Sequence, residues 1–273
     1  MTLLVDDAVA ATAQQLAAAG IANPRHEARL LYALAAGEGA RLADYVRRRM
    51  AHEPYSRIRG AREFWSLDFA LSPDTLDPRP DSETLIEAAL AALPDRAAPL
   101  RVVDLGTGTG ALLLALLSEY PNAAGLGVDI LPGAVATAAG NAAALGLAHR
   151  AQFVAGDWAA INLGAADVIL ANPPYIPSDE IVALPPEVVQ FDPRRALDGG
   201  GDGLMAYRTL VPVVRRTLQP DGWAFFELGA GQAEAVARLV TADKLRVAGT
   251  RRDLAGCERC LTIRQAESGK SGG

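Results

Sequence analysis

Asn172, Pro173, Pro174 and Tyr175 close the apolar run Asp167, Val168, Ile169, Leu170 and Ala171. A strand ending this way sets a side-chain amide, carbonyls without competing Pro N–H donors and an aromatic face at the carboxyl edge of a sheet, where open α/β folds bind ligands. The chemistry open to such a set is the gripping of a planar, nitrogen-bearing group. An amide or exocyclic amine nitrogen is a poor nucleophile because its lone pair is delocalised into the π-system. If the Asn172 side-chain oxygen and the Pro173 carbonyl each accept one of its hydrogens, the lone pair can be aimed at an electrophile and the nitrogen can pyramidalise. Tyr175 would then stack on the flat group and fix its plane. The plain alternative is a Pro-rich turn after a buried strand.

Upstream, residues 101–110 read Arg-Val-Val-Asp-Leu-Gly-Thr-Gly-Thr-Gly, an apolar strand running into a glycine-rich turn and then a Leu-rich helix. Glycines let a ligand approach the backbone, and the following helix N-terminus offers free N–H groups. Gly106, Gly108 and Ala111 satisfy the dinucleotide pattern, and Asp129 closes the next apolar strand, where an acid takes ribose hydroxyls. Alone, this loop suits a nicotinamide cofactor as well as S-adenosylmethionine. Two features favour the latter: Asp104, placed to receive a methionine ammonium, and the seat for a methyl acceptor at 172–175. No Lys follows the glycines, which removes the P-loop reading. Asp157 and Trp158 end the strand-like segment 151–155 beside the loop, in reach of an adenine ring; the competing role for Trp158 is to cap the core at the sheet edge.

Taken with Phe64-Trp65-Ser66-Leu67, Pro78-Arg79-Pro80-Asp81-Ser82-Glu83, Ala196-Leu197-Asp198-Gly199-Gly200, Asp202-Gly203 and Arg252-Asp253-Leu254-Ala255-Gly256, these motifs make the chain resemble the peptide chain release factor glutamine methyltransferases from about residue 53 to 264. The blocks are individually short, and their joint order is specific. The resemblance implies methyl transfer from S-adenosylmethionine, leaving S-adenosylhomocysteine, to the side-chain amide nitrogen of the Gln in the Gly-Gly-Gln motif of release factors. Carried onto this sequence, Asp104, Gly106, Thr107, Gly108, Thr109, Gly110, Asp129, Asp157, Trp158 and Asn172 would contact the cofactor. Asn172, Pro173, Pro174 and Tyr175, with Phe64, Arg79 and Glu83, would face the substrate, and Asn172, Pro173 and Tyr175 would carry the catalysis. The block at 79–83 separates this family from a sister that methylates a ribosomal-protein glutamine. Two departures stand out: Asp77 where the family usually has an apolar residue, and an N-terminal region shortened between Leu31 and Arg47 by about a helix and its turn. The rival readings are an N-methyltransferase of another protein glutamine or of a nucleic-acid base amine, a nicotinamide oxidoreductase, and a binding protein that keeps the fold without turnover.

The elements that must position these residues follow from the punctuation of the chain. Residues 3–19 predict a helix stopped by Gly20, Asn23 and Pro24 predict an N-cap and first turn for a helix to 36, and a third helix is expected over 41–50. Alternating Phe64, Leu67, Phe69 and Leu71 predict a β-hairpin. From about residue 80 helices alternate with strands at 101–105, 125–129, 151–155, 167–171 and 222–228, closed by an antiparallel pair at 245–248 and 261–263. The expectation is an α/β, seven-stranded, doubly wound Rossmann-like sheet, with residues 1–60 as a helical substrate-docking domain, 61–78 as a hairpin linker and 79–273 as the methyltransferase domain. Residues 176–195 are expected to form a substrate-side lid, and 268–273 a disordered tail.

Composition bounds the rest. At 273 residues, half of them hydrophobic, with a net charge of −6, the chain suits neither broad nucleic-acid binding nor a membrane span, and it is expected in the cytoplasm. Arg41, Arg47, Arg48, Arg49, Arg57, Arg59 and Arg62 face only Asp44 and Glu53 within 41–62, either a solvated face or a docking patch for an acidic partner. Cys257 and Cys260 read as incidental thiols in a turn entering the last strand, with no metal site expected. The acceptor motif supplies no strong base, so the proton is expected to leave late, to water, with none of His26, His52 and His149 dominating the pH profile.

Overall fold

The computed structural model describes residues 2–266; the tail expected at 268–273 lies outside the described residues. Three helices come first: α1 (Thr2–Ala18), α2 (Pro24–Ala35) and α3 (Gly39–Met50), followed by a short α4 (Tyr55–Arg59) that no periodicity in five residues could announce. Gly20 ends the first helical segment at φ 77°, as its freedom at positive φ allows. Asn23 precedes α2 but does not cap it with its side chain: it sits in the left-handed region at φ 50°. Its carbonyl instead accepts the His26 and Glu27 N–H groups at 2.9 and 3.2 Å. Val9, Leu16, Ala28, Leu31, Val46 and Ile58 pack into a small core of their own.

The seven arginines of 41–62 are all partnered. Arg41 pairs with Glu38, Arg47 with Asp44, Arg48 with Glu53, Arg49 with Glu27, Arg57 with Asp192, Arg59 with Asp68, and Arg62 with Asp77 at 3.7 Å. Five of those acids lie outside the segment, so the excess of positive charge in the linear sequence is cancelled by folding.

Strands β1 (Ala61–Phe64) and β2 (Leu67–Ala70) form the hairpin, with Phe64 opposite Leu67. Its two-residue turn, Trp65 and Ser66, has φ of 52° and 58° without a glycine or asparagine, an uncommon solution for this turn class. Two carboxylates hold it: Glu83 accepts the Trp65 backbone N–H at 2.8 Å and Glu119 accepts the indole N–H at 2.7 Å.

Then come α5 (Glu83–Ala92), β3 (Arg101–Leu105), α6 (Ala111–Glu119), β4 (Ala124–Asp129), α7 (Pro132–Ala144), β5 (Ala151–Ala155), β6 (Ala166–Ala171), α8 (Pro186–Phe191), α9 (Met205–Thr217), β7 (Leu218–Glu227), α10 (Ala233–Ala242), β8 (Leu245–Arg252) and β9 (Glu258–Gln265). The sheet order is β5-β4-β3-β6-β7-β9-β8, parallel up to β7, with β9 antiparallel to both its neighbours. This is the expected seven-stranded, doubly wound α/β fold. Successive residues of the inner strands go to opposite faces: Val102 and Phe225 join Leu85, Leu113 and Tyr120 on one side, while Val103 and Phe226 join Leu210, Val214 and Val236 on the other. Burial on both faces is why Val102-Val103 of β3 and Val168-Ile169-Leu170-Ala171 of β6 read as continuous apolar stretches. Chain order reverses at β3, with β4 on one side and β6 on the other, so the loops leaving β3 and β6 diverge around a crevice.

The closing pair is longer than the sequence suggests because the Asp253 carboxylate organises its turn, accepting the Ala255 and Cys257 N–H groups at 3.0 and 2.9 Å. Cys260 is therefore not in a turn: it is buried within β9 opposite Glu227, while Cys257 is exposed. Among the described residues no helix is long and apolar enough to cross a membrane.

Candidate active site

Leu105 pairs with Ala171 across β3 and β6, so Gly106 and Asn172 leave the sheet side by side. Between them opens a cavity of about 760 Å³, lined by both of these segments and by Asp129 and Trp158. Gly106, Gly108 and Gly110 take φ of 82°, 54° and 81°, which bends the chain back over the strand end; Gly106 and Gly108 line the cavity, while Gly110 is buried against Leu114, Ala138 and Phe153. A side chain at Gly106 would meet the Trp158 ring at 3.3 Å, so the half-buried indole both caps the core, packing against it, and forms a cavity wall.

Asp129 is used twice within the protein: its Oδ2 accepts the Gly108 N–H at 2.9 Å and its Oδ1 the Leu131 N–H at 3.0 Å. Each oxygen keeps a lone pair for a hydroxyl from the cavity side. Asp104 is 1% exposed, and its Oδ2 accepts the Thr107 hydroxyl at 2.7 Å while its Oδ1 has no hydrogen-bond partner. Burial, with the Asp129 charge adding to it, pushes the Asp104 carboxyl up to about 7. Asp104 itself does not line the cavity; an ammonium that reached its unpartnered buried oxygen would satisfy it and restore its charge. Thr109 lines the cavity and passes its carbonyl to Asn141 at 2.9 Å; Asn141 also grips the Ala70 backbone, tying the hairpin to the loop. Asp157 is exposed at the cavity wall, its Oδ1 accepting the Ala159 N–H at 2.8 Å.

Across the crevice, Asn172, Pro173 and Pro174 line the cavity together with Phe64 and Ser82. Tyr175 lies behind them, with its hydroxyl donated to Glu227 Oε1 at 3.2 Å and its carbonyl accepting from Gln232 Nε2 at 2.9 Å. Burial first, and then the Glu227 charge, push its phenol well above the ordinary range. Arg79 and Glu83 do not line the cavity: Arg79 pairs with Asp192 at 2.5 Å, and Glu83 holds the hairpin turn. His26, His52 and His149 are likewise away from it.

Sequence alone assigns no role to two polar residues of the site: Ser82, which stands within the block at 78–83, and Glu227. Ser82 accepts from Asn172 Nδ2 at 3.1 Å and donates to Glu227 Oε2. Glu227 is 1% exposed at the end of β7. Its pKa rises to about 7 through burial, against the lowering effect of Ser82, Arg259 and Tyr175. The sign available in the sequence was an acid closing an apolar strand, Ala224-Phe225-Phe226-Glu227, as Asp129 does in its own. Among the described residues no group of three or more His, Cys, Asp or Glu is arranged to hold a metal ion. The site thus sets the glycine loop, Asp129 and Trp158 against Asn172, Pro173 and Pro174 across one cavity.

A family model described as a methyltransferase domain matches residues 97–246. The release factor glutamine methyltransferase of Rhodospirillum rubrum is 50% identical over 274 residues, covering 94% of this chain and 84% of that protein. That of Cereibacter sphaeroides is 42% identical, covering 94% of this chain and 97% of that protein. Among solved structures, a methyltransferase from Pyrococcus furiosus shares the fold with a TM-score of 0.53 at 15% identity, covering 73% of this chain and 89% of that one.

Proposed function

The chain belongs to the release factor glutamine methyltransferases, and from that footing we propose that it methylates the side-chain amide nitrogen, N5, of the glutamine in the Gly-Gly-Gln motif of peptide chain release factors. The observation that carries this reading is the placing of the Asn172 amide beside the glycine loop on adjacent strands, an acceptor's clamp next to a donor's bed.

The methyl donor is S-adenosylmethionine, whose sulfonium supplies an electrophilic methyl when bound. Asp104 Oδ1 would take its ammonium, Asp129 its ribose hydroxyls and Trp158 one face of the nucleoside. Asn172 Oδ1 and the Pro173 carbonyl would accept the two N–H groups of the substrate amide and aim its lone pair along the line of transfer. Bound there, the sulfonium would supply its methyl to the amide nitrogen and keep the bonding electron pair on sulfur, and the surplus amide proton would pass to water. Alignment of two bound reactants is worth about 7 to 11 kcal/mol in favourable cases, which suits a site without a strong base at the reacting atom. Residues 1–60 would help dock the release factor, joined through 61–78 to the catalytic unit at 79–273, and the protein would act in the cytoplasm with its substrate.

The test is incubation with methyl-labelled cofactor and a purified release factor, followed by peptide mass spectrometry with a Gln→Ala substrate as control. Label on the Gly-Gly-Gln glutamine is expected. Label on another residue, or none while cofactor binds, overturns the substrate assignment.

A further inference from the structure

Beneath the clamp lies a polar relay: Asn172 Nδ2 donates to Ser82 Oγ at 3.1 Å, Ser82 Oγ–H donates to Glu227 Oε2, and Tyr175 O–H donates to Glu227 Oε1 at 3.2 Å. A serine hydroxyl has one hydrogen and two lone pairs. Once its hydrogen is committed to a carboxylate, Ser82 can only accept from Asn172. We propose that Glu227 is a positioning residue for methyl transfer: as a carboxylate it accepts the one hydrogen bond the Ser82 hydroxyl can donate, which obliges Asn172 to turn its Nδ2 toward Ser82 and its Oδ1 toward the acceptor nitrogen. This rests on the reaction proposed above.

The converse follows from the same donor count. A protonated Glu227 becomes a donor to Ser82, and the Ser82 hydrogen is then free to meet Asn172. The Asn172 amide can turn over, presenting N–H to N–H of the substrate, and the clamp loses its grip. The groups facing Glu227 leave its ionisation open to this control. Arg259 on β9 favours the carboxylate, though it is shared with Asp253 at 3.1 Å and lies 3.6 Å from Asp81. Asp81 opposes it, and Tyr175, Tyr207 on α9 and Cys260 on β9 are neutral neighbours whose own ionisation the Glu227 charge disfavours. Burial sets the balance near pH 7.

The test reads Asn172 directly and activity separately. In protein with ¹⁵N-labelled asparagine and no cofactor, the Asn172 side-chain amide resonances should shift with pH with a midpoint near 7 in the parent. They should stay still in Glu227→Gln, and also in Ser82→Ala, which cuts the relay without touching the buried carboxyl. A parent resonance indifferent to pH, or one that still titrates in Ser82→Ala, overturns the proposal even if methylation proceeds as proposed. At saturating cofactor, kcat of the parent should fall about tenfold between pH 8 and pH 6, and this acid limb should vanish in Glu227→Gln. An unchanged limb in that variant overturns the proposal. Saturation separates this limb from Asp104, whose ionisation would enter through cofactor affinity. Absence of any methylation would strike at the substrate assignment alone, since the resonance measurement still decides the relay.

Discussion

At the scale of single residues, Asn172 is the proposed contact to the acceptor and Asp104 the proposed contact to the donor. Under that assignment, removing Asn172 would take away a contact made strongest as the nitrogen pyramidalises. Asn172→Ala is therefore expected to lower kcat by about a hundredfold, roughly 3 kcal/mol, while the cofactor affinity measured by calorimetry changes little. Asp104 makes a different forecast. Its carboxyl, raised to about 7 by burial, must ionise to receive an ammonium, so cofactor affinity should rise with pH through that region and level off above it. Calorimetry at pH 6 in two buffers of different ionisation enthalpy should find about one proton released on binding, and none in Asp104→Asn. That residues 172–174, the glycine loop and Asp129 would meet at one cavity was legible because each stands at the end of an apolar strand. Ser82 and Glu227 were not, because their partners lie 90 and 145 positions apart and nothing but the fold brings them together.

At the scale of elements, the segment 176–195 is strapped to the rest of the molecule. Asp192 is buried and takes Arg57 at 2.9 Å and Arg79 at 2.5 Å, while Glu187 of α8 meets Arg49 and His52 at 3.4 Å. A buried carboxylate removed from two guanidiniums leaves charge without compensation, a loss of about 3 to 5 kcal/mol. Asp192→Ala should lower stability by that order in urea and speed proteolysis within 176–195; equal cleavage rates in mutant and parent would mean the strap does not hold the segment. Periodicity and punctuation located the long helices, the hairpin and the parallel strands. They failed at α4, too short to have a period, and at the ends of β8 and β9, whose extension depends on the Asp253 turn. Arg79 and Glu83 belong to this scale as well: both serve as ties between elements, to Asp192 and to the Trp65 turn.

Over the whole molecule, Asp104 and Glu227 make the cofactor-free protein pH-sensitive in an unusual direction. Both have folded-state pKa values near 7 against 3.8 and 4.5 as ordinary values, so between about pH 4 and 7 the unfolded chain binds fewer protons than the folded one. Stability must fall as pH rises through that window and flatten above it. Asp202, held at about 2 mainly by the Arg208 hydrogen bond, is ionised throughout and does not offset the trend. Melting should therefore occur a few degrees lower at pH 8 than at pH 5.5, and Asp104→Asn should reduce the difference. The sheet order carries one more consequence, for the protein's own synthesis. β9, the last described strand to leave the ribosome, is an inner one, standing between β7 and β8 with Cys260 opposite Glu227. Until it emerges, β8 has no partner and one flank of the Glu227 pocket is open. A nascent chain can assemble the parallel strands and the glycine loop early, but its acceptor clamp is finished only by the final strand, so premature termination before residue 258 would yield a molecule unable to complete either its sheet or its site.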